Sequence, residues 1–331
     1  MIRKVVVACI KAVRPDPRGD VARLVRELAA RNSTRRMLNR YYSGLSYAQK
    51  RMFHKRFAGL FEGYTGRFDD GEWEVIFNGI PIRLPMKKET AALHWNLAIS
   101  VVGHDVEVKE SYEALFRLDA PPRVVLDVGT NFGTHSILFL VSKKRTVSFE
   151  PNPNCHAYLQ EASKLNQVEC QIEALALGDR EGQVELCFPQ GKEWNGTVVD
   201  SVKESLGTED VILKIDVPMT TMDDYVERHQ LKPDLIKLDA EGAELAILRG
   251  GRRTLLANHP PVVFEAWPGV EERAKYFSTF DDLGYQICGL PLSATARPTV
   301  FNLPEFQASK LTNFIAVPEK LVMSWPPQFS A

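Results

Sequence analysis

Arg123-Val-Val-Leu-Asp-Val-Gly-Thr-Asn-Phe-Gly-Thr-His135 is the stretch on which the fold of this chain turns. Its apolar opening, Arg123 to Val128, suits a strand buried on both faces. The strand ends at Asp127, turns through Gly129 and Gly133, and leads into a helix over Ser136 to Val141. Glycines at such a turn let the backbone come close to a ligand. A second strand, Thr146 to Phe149, runs into another acid, Glu150, 23 residues after Asp127. That spacing suits an acid at the tip of the next strand, placed to hold both hydroxyls of a ribose.

Two nucleoside ligands compete for such a turn. A dinucleotide site reads Gly-x-Gly-x-x-Gly and sets a pyrophosphate against a helix N-terminus. Here the turn is Gly129-Thr-Asn-Phe-Gly133 with Asp127 just ahead of it. An acid there repels pyrophosphate and suits a positive centre, such as the sulfonium and ammonium of S-adenosylmethionine. The plain alternative is that Asp127 and Glu150 only cap turns. Acids on two adjacent strand tips favour the ligand.

Working outward, the pattern alternates strand and helix. Ala157 to Leu165 reads as a helix, Val168 to Leu177 and Gly182 to Phe188 as strands, and Asp234 to Leu238 as a further strand. A helix over Glu244 to Leu256 and a strand over Val262 to Ala266 follow. Tyr285 to Leu290 and Leu311 to Val317 fit a closing antiparallel pair. Such alternation predicts an α/β fold with a mostly parallel sheet covered by helices on both faces. Upstream, a helix begins at Asp20 with Val21, Leu24, Val25 and Leu28 on one face. Ser46-Tyr-Ala-Gln49 is a capping box ahead of Phe53, Phe57, Leu60 and Phe61. Glu72 to Leu84 alternates around Asn78-Gly79 as a hairpin, and Val106 to Leu118 reads as a helix. The expected division is residues 1–104 as a basic helical and hairpin extension that could cap the acceptor site, and 105–331 as the main domain.

Asp127-Val-Gly-Thr-Asn-Phe-Gly-Thr-His-Ser136 resembles the first motif of the FkbM-type methyltransferases, and Phe149-Glu-Pro-Asn-Pro153 resembles the second. Ala174-Leu-Ala-Leu-Gly-Asp179 is similar to the third. Thr220-Thr-Met-Asp-Asp224, followed by Leu235-Ile-Lys-Leu-Asp-Ala-Glu-Gly-Ala-Glu244, is the most distinctive match. The resemblance covers roughly residues 105 to 317. It implies a class I methyltransferase fold, Rossmann-like, with a seven-stranded sheet whose last strand is antiparallel. It also implies S-adenosylmethionine-dependent O-methylation of a sugar, polyketide-type metabolite or other small molecule. Carried over by position, Asp127, Gly129, Thr130, Asn131 and Gly133 would line the methionine part of the donor. Glu150 would hold the ribose, with Pro151 and Asn152 beside it, and Ala174 and Leu175 would lie near the adenine. Glu107 stands about where the family often has an acid facing the donor.

Methyl transfer to an alcohol needs alignment and removal of a proton. Asp239 and Glu241 follow a strand at the edge where open α/β sheets bind ligands. One could serve as base, or the two could hold a divalent cation; no metal is required by the pattern. Glu241 could instead cap the next helix. Lys237 could pair with an acid. His135 could act as base or pack. Glu265 ends another strand, and Trp267 could wall the acceptor pocket.

Charge bounds the partners. The chain has 41 Lys/Arg against 42 Asp/Glu over 331 residues, so it is no overall polycation. Residues 1–56 nonetheless carry fifteen Lys/Arg against three acids, a net of +12 that leaves −13 on the remainder. That segment is either a basic cap on an acidic domain or a surface for an anionic or carrier-bound partner. It keeps open a nucleic-acid methyltransferase, although no Asn-Pro-Pro-Tyr-like turn stands at Asp239. A non-catalytic donor-binding module is the other rival. No apolar run reaches membrane-spanning length, and the run Val5 to Ile10 is short for a secretory segment. Five scattered cysteines without a Cys-x-x-Cys suggest neither zinc nor disulfides, and a cytoplasmic setting is expected.

Overall fold

The structure, a computed structural model, describes residues 19–191, 196–203 and 211–325. The start of the chain, with Arg3, Lys4, Cys9 and the run Val5 to Ile10, lies outside them. The chain divides into two compact units. One comprises the residues up to Lys109 together with Gln160–Glu169; the other comprises Glu110–Leu159 and the residues from Cys170 onward.

The first unit holds helices α1 (Asp20–Ala30), α2 (Asn32–Ser43), α3 (Tyr47–Phe57) and α4 (Ala91–Ser100), and the start of α5 (Val106–Phe116). Strands β1 (Gly71–Phe77) and β2 (Ile80–Met86) form its hairpin. Asn78 and Gly79 both adopt positive φ, as a two-residue turn matched to strand twist requires. The Ser46 hydroxyl accepts from Gln49 N, and Gln49 Oε1 accepts from Ser46 N, so the expected capping box forms. Tyr42, Phe53, Trp73 and Trp95 pack edge to face, with ring centroids 5.1 to 6.2 Å apart. Of the expected row on α1, Val25 is buried while Leu24 is exposed, and Ala22, Ala29 and Ala30 are buried beside Val25.

The second unit is built on β3 (Val124–Val128), α6 (Ser136–Val141), β4 (Arg145–Phe149), the first turn of α7 (His156–Asn166, whose remainder is counted with the first unit) and β5 (Gln171–Glu173). Further along come β6 (Ala176–Gly178), β7 (Gly182–Pro189), β8 (Ile212–Thr221), α8 (Met222–Arg228), β9 (Leu235–Leu238), α9 (Glu244–Gly250) and α10 (Arg252–Asn258). β10 (Val262–Glu265), α11 (Val270–Asp281), β11 (Tyr285–Cys288) and β12 (Asn313–Pro318) complete the sheet region. The seven-stranded sheet has the order β11-β12-β10-β9-β3-β4-β5. Its strands are parallel except β12, which runs antiparallel between β10 and β11. This is the class I methyltransferase arrangement. Leu126, Val147, Ile236, Val262 and Phe314 carry the core across it.

Two elements differ from expectation. Val168 to Leu177 is not one strand: β5 ends at Glu173, and β6 joins β8 and β7 in a separate three-stranded sheet. Glu244 to Leu256 is two helices broken at Gly251, where a Cβ would stand 2.8 Å from Met222 Sδ.

Candidate functional site

The chain runs from β3 outward to β4 and β5 on one side and places β9 and β10 on the other. The carboxyl ends of β3 and β9 therefore flank the point where strand order reverses, the usual place for a ligand crevice. The turn after β3 is held open there. Gly129 and Gly133 have φ of +72° and +81°. A Cβ on Gly129 would stand 1.7 Å from the Asp239 carbonyl oxygen, so only glycine fits between the two tips. The amides of Gly129 and Thr130 both donate to the Phe149 carbonyl, at 3.1 and 3.0 Å, and stitch the turn to β4. Asn131 takes the left-handed conformation that asparagine tolerates, and its Oδ1 accepts from Phe132 N at 2.8 Å.

Glu150 ties these turns together. Its Oε2 accepts from Asn131 N at 2.7 Å and its Oε1 from Asn152 N at 2.8 Å. The residue is 8% exposed. Burial pushes its carboxyl up to about 7, against the pull of the two amides and Lys237. Asn152 is buried beside it, with Nδ2 lacking a hydrogen-bond partner among the described residues.

Lys237 lies under the turn. It is the register partner of Asp127 across the parallel β3–β9 pair. Its ammonium donates to the Gly129 carbonyl at 2.8 Å, lies 3.3 Å from Asp239 Oδ2 and 3.6 Å from Asp127 Oδ1. Burial opposes its charge, but Asp239 and Asp127 outweigh burial and raise its pKa. Asp127 is fully buried, and its Oδ2 accepts from the Ser136 hydroxyl at 2.6 Å. Burial pushes the Asp127 carboxyl up, against Lys237 and Ser136. Its side chain thus supports the turn from within the sheet.

Acids collect beyond β9. Asp239 is the more exposed partner of Lys237. Glu241 sits at φ +49°, with its carbonyl accepting from the Thr197 hydroxyl at 2.9 Å. Burial, then Asp239 and Glu244, pushes Glu241 up to about 7. Among the described residues no side chain caps the following helix, neither Glu241 nor another; Glu244, its first residue, closes the preceding turn instead, its Oε1 accepting from Ala240 N at 2.6 Å and its Oε2 from the Tyr276 hydroxyl at 3.2 Å. Glu265, at the end of β10, is pushed up to about 8 by burial and by Asp239, Glu241 and Glu244. Its Oε2 accepts from the indole of Trp267, which is 61% exposed.

The remaining candidates are distributed as follows. His135 is buried, with Nδ1 3.0 Å from the Tyr112 hydroxyl. The Thr130 hydroxyl donates to the Asp127 carbonyl. Pro151 follows Glu150 in the bend after β4. Ala174 is exposed and Leu175 half-buried where the chain leaves β5. Glu107, in the first turn of α5, pairs with Arg51 inside the first unit. Among the described residues no group of three His, Cys, Asp or Glu side chains converges to hold a metal, and no helix is long and apolar enough to cross a membrane. The expected pairing of Lys237 with an acid holds, with two acids in fact; its bond to the Gly129 carbonyl was not read from sequence. A single cation in the apolar run Leu235-Ile-Lys-Leu, beside a strand with a single acid, was the available signal.

A family profile described as the methyltransferase FkbM domain matches residues 127–287. The chain is 27% identical over 191 residues to methyltransferase sdnD of Sordaria araneosa, covering 49% of this chain and 73% of that protein. It is 29% identical over 152 residues to 2-O-methyltransferase NoeI of Sinorhizobium fredii, covering 42% and 61%. Hexuronic acid methyltransferase AglP of Haloferax volcanii is also 29% identical over 152 residues, with 45% and 58% covered. The chain thus spans less than two thirds of the length of the last two relatives.

Proposed function

We propose that this chain, which the FkbM methyltransferase domain profile matches over residues 127–287, moves the methyl group of S-adenosylmethionine to a hydroxyl of a sugar or polyketide-type metabolite. One observation carries the reading. Glu150, at the tip of β4, is clamped by amides from both flanking turns beside the point where strand order reverses. That is a rigid acceptor pair suited to two ribose hydroxyls. The residues fit the donor: the buried Asn152 amide nitrogen, beside Glu150, has no protein partner among the described residues.

When bound, S-adenosylmethionine supplies an already activated methyl group. Glu150 and Asn152 hold its nucleoside, and the backbone of Gly129 to Gly133 lines its amino-acid part. Asp127 and Lys237 fix that backbone from below. Glu241, two residues past Asp239 beyond the end of β9, acts as the base; burial and neighbouring acids raise its carboxyl to about 7, which lets it take and release a proton at neutral pH. A Glu241 carboxylate oxygen accepts the proton of the acceptor hydroxyl. Asp239, paired with Lys237, orients the same hydroxyl. His135 is engaged by Tyr112 and is the weaker candidate. Asp239 carries negative charge at the tip of β9, beside Glu241 and Glu265 that share it only in part at neutral pH, which favours neutral acceptors over anionic ones.

Methyl-labelled donor incubated with neutral glycosides, uronic-acid glycosides, hydroxylated polyketides and RNA tests this reading. Label in an alkali-stable ether on a neutral acceptor is expected, and Glu241→Gln should lower turnover about 10²–10⁴-fold. Label only in RNA, or in none of these while the donor binds, would overturn it.

A further inference from the structure

We propose that the outward face of α2 docks the protein on an anionic phospholipid surface. The inference stands apart from the catalytic reading and begins with a gap in the sequence. From Leu28 to Phe61 there is no Asp or Glu, while eight Lys/Arg occur. A helix that only faces water usually interleaves both signs of charge.

The helical period sorts the side chains of α2. Arg35, Leu38, Asn39 and Tyr42 turn inward and are buried. Arg36, Met37, Arg40 and Tyr41 turn outward, as two adjacent rows spaced four residues apart. Met37 is 46% and Tyr41 37% exposed. Apolar side chains therefore stand among the outward cations. Arg31, Arg36 and Arg40 are exposed and form no ion pair among the described residues. α3 repeats the pattern, with exposed Met52 three residues before exposed Lys55.

Cations beside thioether and phenol groups, with no acid between them, match the chemistry of a membrane interface. Guanidinium groups reach headgroup phosphates, and apolar side chains enter the boundary beneath. Nucleic acid would satisfy the arginines equally. However, it gains most from aromatic platforms for its bases, and two of the three exposed apolar groups here are methionines. Upstream in the sequence, Arg3-Lys4, Val5 to Ile10, Lys11 and Arg14 place the same two chemistries side by side.

Flotation of the full chain with phosphatidylcholine vesicles, with and without phosphatidylglycerol, tests the proposal. Binding is expected only with phosphatidylglycerol and should fall as salt is raised. Arg36→Gln with Arg40→Gln should weaken partitioning about 30-fold, from about 1 kcal/mol per cation at an anionic surface. Met37→Gln with Tyr41→Ser leaves the charge unchanged and should still weaken it, by about tenfold. Circular dichroism and donor affinity should be unchanged in both variants. No binding to phosphatidylglycerol vesicles would overturn the proposal. So would full binding by the Met37/Tyr41 variant, or a single-stranded oligonucleotide that binds more tightly than the vesicles and depends only on the arginines.

Discussion

Replacing Lys237 with methionine keeps the apolar stem of the side chain and removes its charge. Lys237 is the cation beside Asp127, whose carboxylate is fully buried and whose Oδ1 has no hydrogen-bond partner among the described residues. The variant leaves that carboxylate with the Ser136 hydroxyl as its hydrogen-bond donor among the described residues. Removing one partner of a buried pair costs about 3–5 kcal/mol, because the remaining charge is uncompensated. For a unit of this size that is a fall in Tm of roughly 8–16 °C. The cost depends on pH in a definite direction. Without Lys237, Asp127 stays protonated in the folded state to higher pH than in the unfolded chain. Stability of the variant therefore falls as pH rises above the ordinary aspartate range of about 4. The deficit against the parent should shrink as pH is lowered. Adding Asp127→Asn should restore much of the loss, since no lone charge remains. Thermal unfolding followed by circular dichroism reads all three effects. A Lys237→Met protein as stable as its parent at neutral pH, or one that Asp127→Asn does not rescue, would refute this reasoning.

Gly129→Ala should abolish donor binding and lower stability by more than about 2 kcal/mol, since its φ is +72° and the added Cβ meets the Asp239 carbonyl oxygen. Denaturant titration and calorimetry check it. The donor-free protein should also lose stability as pH rises from about 5 to 8. Glu150 and Glu241 are raised to about 7 and Glu265 to about 8, so the folded state keeps protons that the unfolded chain has released. For Glu150, the rise from 4.5 to about 7 is worth about 3 kcal/mol. Urea unfolding across that range should show the slope, and Glu150→Gln should flatten it.

Much of the sheet was legible because buried parallel strands announce themselves as apolar runs. β3, β4, β9 and β10 all appear within a residue or two of where the runs lie. Asn78-Gly79 and the Ser46 capping box were legible because their chemistry is local. The three-stranded sheet was not. β5 and β6 are three residues each, and no residue at Ala174-Leu175 signals that the chain changes sheet. Gly251, where the helix breaks, packs against Met222, which is distant in sequence. The strand-tip acids could be read one by one, but their division of labour could not. Register decides that Asp127 meets Lys237, and the fold of one turn decides that the Glu244 carboxylate is tied to Ala240 N. Glu107 pairs with Arg51, a partner that its spacing from Asp127 does not reveal.

Calorimetric titration of S-adenosylmethionine into the unaltered protein and into Glu150→Ala tests most directly whether the crevice at the tips of β3 and β4 is the donor site. Saturable binding to the parent is expected. The variant should bind roughly 10–150-fold more weakly, from the loss of charged hydrogen bonds worth about 1.5–3 kcal/mol, with its circular dichroism unchanged. NAD should not compete. Equal affinity of the two proteins for S-adenosylmethionine, or tight binding of NAD with none of the methyl donor, would contradict the assignment.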